Sequence, residues 1–262
     1  METGASVAGG PGGRDGWSAV SLLTPQPGGG AERFAARFGG RHPVLVFGAA
    51  VILGFVAVAA LSIGLGLVVT DVLIRSGGVA SADESFVSSL VTERTPLLTD
   101  ASLVGSTIGS TVLVVVAVVV SLIFAVRRQW RVAVFALFLP AVESGLYRVT
   151  SLADPRLRPD VPRLEDLPVN ASYPSGHTAA SVSVYAGLVL LLTSRIADRT
   201  TRWLAWTMAI LVAVFVATSR MYRGMHHPLD VAGGVLVGLG AIAVVVFACR
   251  AAGAADEIRS MY

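Results

Sequence analysis

Residues 43–73 read PVLVFGAAVILGFVAVAALSIGLGLVVTDVL. The run carries a single charge, Asp71, close to its end, and exceeds the roughly 20 apolar residues that a helix needs to cross a bilayer. It is long enough to tilt or protrude. Five more runs of span length follow, at about 104–126, 132–150, 175–194, 203–219 and 229–249. The third span is interrupted by Glu143, Tyr147 and Arg148. The fold class expected is therefore an all-α membrane protein, a bundle of six transmembrane helices. Composition agrees: of 262 residues, 54% are hydrophobic and only 14% charged, and the mean hydropathy is +0.72.

Around this core the organisation is simple. Residues 1–30 hold nine Gly and three Pro without apolar periodicity, so residues 1–42 are expected to form a disordered cytoplasmic tail without a signal peptide. Within it, AERFAARF (31–38) suits either one or two amphipathic turns on the membrane or a solvated linker. Residues 43–249 form one six-span domain, and 250–262 a short cytoplasmic tail. Residues 75–100 alternate acids, Ser and apolar residues, which predicts an amphipathic surface helix between the first and second spans. Cys249, the one cysteine, lies in an apolar run and is expected to be buried.

All twenty basic residues are Arg, and the net charge of +3 is too small to argue for nucleic acid. The Arg-only, Ala-, Val- and Gly-rich composition suits a GC-rich bacterial genome. Basic residues favour the cytoplasmic side of short loops. With the N-terminus inside, Arg14, Arg33, Arg37, Arg41, Arg127, Arg128, Arg131, Arg195, Arg199, Arg202, Arg250 and Arg259 fall there. Of the eight that remain, six crowd into two outer places, around 148–163 and 220–223, against the topological bias.

Three outer segments therefore converge at one end of the bundle. They are TSLADPRLRPDVPRL (150–164), SYPSGHT (172–178) and SRMYRGMHHPLD (219–230). Pro174, Ser175 and Gly176 open a span whose first amides lack intrahelical partners and lie at the positive end of the helix dipole, a cradle for phosphate. Arg158 and Arg220 can add forked contacts to phosphate oxygens. His226 and Asp230, four apart with Pro228 at the first turn, share one helical face, so the carboxylate can hold one ring nitrogen as N–H and leave the other nucleophilic. His177 is then a second imidazole, suited to protonating a leaving alkoxide. Such a site needs no metal and no cofactor. Spacing does not decide whether His226 or His227 attacks. Taken singly, each segment could be a helix cap, a loop with snorkelling Arg, or a lipid-headgroup contact; together and in order, they point to phosphate chemistry.

These residues resemble the type 2 phosphatidic acid phosphatases, or lipid phosphate phosphatases. Their pattern is Lys, six residues, Arg-Pro; then Pro-Ser-Gly-His; then Ser-Arg, five residues, His, three residues, Asp. The second part is complete as Pro174, Ser175, Gly176 and His177, and the third as Ser219, Arg220, His226 and Asp230. Tyr222, Gly224, Pro228 and the following VAGG extend the likeness. In the first part Arg158-Pro159 is present, but Ser151 stands where the pattern has Lys, with Arg148 or Arg156 as stand-ins. The DVPRL that follows is similar to actinobacterial members lacking that Lys.

The resemblance implies a six-helix bundle that removes phosphate by way of phosphohistidine. It implies His226 as nucleophile, Asp230 as its orienting group and His177 as general acid. Arg158, Arg220, Ser175 and the Gly176 amide hold the phosphoryl group, and His227 is left as a structural or rim residue. Glu143, an acid inside a span, is expected to pair with an Arg of the first motif. The expected partners are the bilayer and a lipid phosphate or pyrophosphate from the outer leaflet: polyprenyl (pyro)phosphate, phosphatidic acid or phosphatidylglycerol phosphate. A phosphotransferase using the same intermediate and a non-enzymatic binder of anionic lipids are the alternatives.

Overall fold

The computed structural model describes residues 20–75 and 77–261, and all regular structure among them is helical. A 3-10 turn, Ser21–Leu23, precedes α1 (Gly30–Ala36). Next come α2 (Pro43–Leu67), widening into π-helical turns over Val68–Leu73, then α3 (Gly78–Thr92), α4 (Pro96–Ile108), α5 (Thr111–Val126) and α6 (Trp130–Ala153). α7 (Gly176–Ser181) runs through a π-helical stretch, Val182–Ala186, into α8 (Gly187–Thr193), and α9 (Arg199–Tyr222) and α10 (Pro228–Arg259) complete the chain. Among the described residues, six stretches are long and apolar enough to cross a membrane: Pro43–Leu73, Pro96–Val126, Trp130–Ala153, Gly176–Thr193, Arg199–Tyr222 and Pro228–Arg259. The chain is a multi-pass membrane protein, and α3 is the expected helix between its first two spans.

Several spans start on side-chain caps that satisfy otherwise orphaned amides. Thr95 accepts from Leu98 N at 3.2 Å ahead of Pro96, and Asp198 accepts from Thr201 N at 2.7 Å. His42 accepts from Val44 N at 3.3 Å ahead of Pro43. The second span begins eight residues earlier than the apolar run suggests. Its first helix, α4, turns Ser102, Gly105 and Ser106 inward, so the buried face is polar and escapes a count of apolar residues.

The core lies between α6 and α10, where Phe135, Leu139 and Leu146 meet Val237, Ala241 and Val245, with Ala179 and Leu191 from the fourth span. α2 packs along α10 at close range. A Cβ on Gly54 would lie 2.9 Å from Val244 Cγ2, and small residues permit such approach where water supplies no driving force. Ile52, Leu53, Val115 and Leu122 stay exposed, as lipid-facing side chains do.

Two expectations about the ends are corrected. Residues 1–19 of the expected disordered tail lie outside the described residues, but 20–42 are folded. Val20 and Leu23 join the core cluster that holds Cys249, and Arg250 Nε donates to Leu22 O at 2.8 Å. Ala31 and Ala35 of α1 pack against Ala248 and Ala251, and the Phe34 and Phe247 rings meet at 5.5 Å. These few apolar residues are spaced to match α10, and their burial offsets the ordering cost that the Gly-rich composition implies. For the same reason α10 does not stop at 249. It continues to Arg259 beneath α1, so most of the expected 250–262 tail is helix.

Candidate active site

The C-terminal ends of α6 and α9, the N-terminal ends of α7 and α10, and α3 meet at one end of the bundle. The turn between α9 and α10 is closed by Gly224 N donating to Met221 O and Met225 N donating to Arg220 O. Gly224 has φ +72°, and a Cβ there would lie 2.8 Å from Val161, so both backbone and space call for glycine. This reversal returns His226 to the arginines of α9. The 154–175 connection is tied down by Arg158 N to Val169 O, Ser172 N to Arg156 O and Leu164 N to Arg223 O.

His226 is 3% exposed. Its Nδ1 lies 2.8 Å from the Ser172 carbonyl, which can only accept, so Nδ1 carries the hydrogen and Nε2 presents its lone pair. Asp230 Oδ2 is 3.9 Å from Nδ1, too long for a hydrogen bond. The expected direct Asp230–His226 pairing is corrected here: the carbonyl fixes the tautomer and the carboxylate acts through charge. Burial holds the His226 pKa well below its ordinary value despite Asp230, so the imidazole is neutral.

On the Nε2 side, Arg158 Nη1 stands at 3.4 Å, held by the Met225 carbonyl, while its Nε donates to Pro168 O. Arg220 is fully buried. Its Nη1 donates to Ser106 Oγ at 2.6 Å and to both oxygens of Glu165, yet Nε and Nη2 have no partner among the described residues. His177, in the first turn of α7, is within electrostatic range of Arg220, Glu165 and Arg158. The Tyr147 ring packs against Gly176 beside it. Ser175 departs in part from expectation: its N–H donates to Asp230 O at 2.9 Å, and its Oγ accepts from Thr178 Oγ1. No side chain caps α7, and since the Ala179 amide already donates to Ser175 O, the amides of Gly176, His177 and Thr178 are the open ones.

Three arginine and acid expectations fail for identifiable reasons. Arg156, offered as a phosphate ligand, is saturated by carboxylates: Nη1 meets Asp230 and Nη2 meets Asp83, each at 2.5 Å, with all three side chains buried. Arg148 is exposed on α6, outside the cluster. Glu143 is buried, but the expected arginine pairing is not formed among the described residues; Ser144 Oγ donates to it at 3.4 Å, and the α6 face that carries it turns into the apolar core. His227 is a framework residue. Its backbone N–H and Nδ1 face Asp230 Oδ2 at 2.8 and 3.2 Å, and its Nε2 faces Glu84 at 3.0 Å.

Residues absent from the expectation complete the site. Asp83 and Glu84 come from α3, Ser102 and Ser106 from α4, Glu165 from the connection, and Arg223 from the end of α9. Glu165 binds Arg223 Nε at 2.6 Å as well as Arg220. Burial pushes its carboxyl upward, but hydrogen bonds and charge from Arg220 and Arg223 outweigh this and hold its pKa at about 2. The acid-rich alternation of 75–100 and the outer arginine cluster that includes Arg223 are the legible signals among them.

A buried neutral imidazole, an arginine edge without a partner among the described residues and a second imidazole thus lie within electrostatic range of the same two arginines, Arg158 and Arg220. The PAP2 superfamily model matches residues 153–252, which include this cluster. The chain is 38% identical over 122 residues to an undecaprenyl-diphosphatase of Sulfolobus acidocaldarius, covering 45% of this chain and 54% of that protein. The match thus spans about half the length of that relative. It is 26% identical over 183 residues to phosphatidylglycerophosphatase B of Bacillus subtilis, covering 68% of this chain and 88% of that one. A crystal structure of a transmembrane PAP2 type phosphatidylglycerolphosphate phosphatase from Bacillus subtilis aligns with a TM-score of 0.58 at 26% identity. The alignment covers 78% of this chain and 93% of that chain.

Proposed function

We propose, from the match of residues 153–252 to the PAP2 superfamily model, that the chain is a PAP2-type membrane phosphatase that cleaves the phosphomonoester or pyrophosphate bond of a lipid phosphate through a phosphohistidine at His226. The observation that carries this reading is the pair formed by Arg220 and His226. A fully buried guanidinium with Nε and Nη2 unpaired is a costly arrangement unless an anion occupies that edge, and the His226 imidazole, its Nε2 facing Arg158 Nη1 at 3.4 Å, lies within electrostatic range of it.

The chemistry follows from the groups in place. Arg220, Arg158 and the first amides of α7 hold the phosphoryl oxygens and stabilise the charge that spreads over them in the transition state. His226 Nε2 attacks phosphorus; the N–P bond forms as the P–O bond to the lipid oxygen breaks, and that oxygen takes a proton from His177. Water then gives a proton to His177 and attacks phosphorus, the N–P bond breaks, and inorganic phosphate leaves with both imidazoles restored. Asp230 stabilises the positive charge that His226 acquires as it attacks.

A lipid substrate is supported by an apolar groove of about 310 Å³ between the fourth, fifth and sixth spans. Thr178, next to His177, lies at one end, and Val182, Val214, Ile210, Trp206 and Leu239 line its length. The two relatives named above act, by their names, on an undecaprenyl diphosphate and on a phosphatidylglycerophosphate, and this site suits the same class. The distribution of Arg supports an orientation with the site on the outer face and both termini in the cytoplasm. The test is phosphate release from a panel of polyprenyl and glycerolipid phosphates in detergent or nanodiscs, comparing wild type with His226→Ala. Release that is equal in the two proteins would reject the reading.

A further inference from the structure

The clamp contains a carboxylate that this reaction does not use. Glu165 Oε1 accepts from Arg220 Nη1 at 2.7 Å, Arg223 Nε at 2.6 Å and Ser106 Oγ at 2.9 Å, and Oε2 accepts from Arg220 Nη1 at 2.8 Å. Arg223 is fastened in turn, through Nη1 to Ser102 Oγ at 3.1 Å and Nη2 to Leu164 O at 3.2 Å. The connection that carries Glu165 is thereby fixed to both α4 and α9.

Which end of Arg220 the carboxylate takes is informative. The bidentate fork of an arginine that best matches a phosphate is the edge formed by Nε and Nη2. A carboxylate standing in for phosphate would occupy that edge. Glu165 contacts Nη1 alone, and the fork is the part left bare. Its negative charge also offsets one of two neighbouring buried guanidinium groups, which would otherwise repel.

Building on the phosphatase reading, we propose that Glu165 is a positioning residue: by gripping Nη1 it turns the Nε/Nη2 edge of Arg220 toward the phosphoryl group. Its contact with the phosphate is indirect, through Arg220. The geometry distinguishes this from a competing role. A competitor's removal strengthens anion binding, whereas a positioner's removal weakens it.

The experiment uses full-length protein in nanodiscs, with inorganic phosphate as the probe, titrated calorimetrically against wild type, Glu165→Gln, Glu165→Asp and Ser106→Ala. Glu165→Gln is expected to weaken phosphate binding about tenfold or more and to raise KM in step, as loss of a charged hydrogen bond does. Glu165→Asp is expected to recover part of the loss. Ser106→Ala, a milder change on the same Nη1, is expected to shift binding in the same direction and keeps the comparison open if Glu165→Gln does not fold. Tighter phosphate binding in Glu165→Gln, or unchanged binding with only a lower melting temperature, would overturn the proposal. Wild type that binds phosphate but releases none from lipids would remove the phosphatase reading, while the Glu165 comparison would still decide this one.

Discussion

One ring nitrogen of His226 is held by a backbone carbonyl: Nδ1 lies 2.8 Å from Ser172 O, while Asp230 stands 3.9 Å off. Asp230 is instead the hub of a framework, accepting from Ser172 Oγ and the His227 N–H and pairing with Arg156. Two substitutions therefore separate. His226→Ala should abolish phosphate release, whereas Asp230→Asn should keep the tautomer and a measurable residual rate while lowering kcat and thermal stability together. Asp230→Asn that lowered kcat with an unchanged melting temperature would contradict the framework role.

The Arg156 bridge makes the surface helix part of the site. Asp83 also accepts from Leu229 N at 3.1 Å, so one α3 side chain holds both Arg156 and the start of α10. Removing one partner of a buried ion pair costs about 3–5 kcal/mol. Asp83→Ala should lower stability by that order and reduce turnover, and Asp83→Asn should recover part of the stability. The check is a melting curve in detergent alongside an activity assay.

Acid stability carries a defined sign. The folded-state pKa of His226 is depressed by burial, so the unfolded chain binds the additional proton, and stability is lost as pH falls through the ordinary histidine value of about 6.5. Glu165 is also depressed, to about 2, so its contribution is present above the ordinary Glu value of about 4.5 and is lost as pH falls from there toward 2. Melting temperature against pH should show two declining regions. Glu165→Gln should make the lower one shallower and leave the upper.

If the groove beside Thr178 holds the lipid tail, as proposed, tail and headgroup recognition can be tested apart. Ala213 and Val214 line its middle, well away from His226 in sequence and along α9. Val214→Trp should raise KM for long-chain lipid phosphates by about tenfold or more, as filling an apolar subsite of a few methylenes' reach does, and leave a short water-soluble phosphate monoester unaffected. Equal effects on both substrates would place the tail elsewhere.

Much of this was legible in the sequence, and the exceptions have physical causes. The spans follow from apolar run length, and His177, Arg158, Arg220 and His226 from motifs whose spacing sets which residues share an end of the bundle. Arg156 meets internal acids and not the open side of the site, a distinction that charge in the sequence does not carry. Asp83 comes from 73 residues away. Ser102 and Ser106 sit on a polar face that a hydropathy count treats as a weak start to a span. Residues 20–42 were misread because composition registers the glycines but not the match of Leu23 and Ala35 to α10.

The central claim is that one imidazole carries the phosphoryl group. A lipid phosphate labelled with ³²P, mixed with wild-type protein and quenched within the turnover time, should leave protein-bound label that is stable to base and labile to acid. The label should be absent from His226→Ala and present in His227→Ala. Label that persists in His226→Ala, or that moves with His227, would contradict the account.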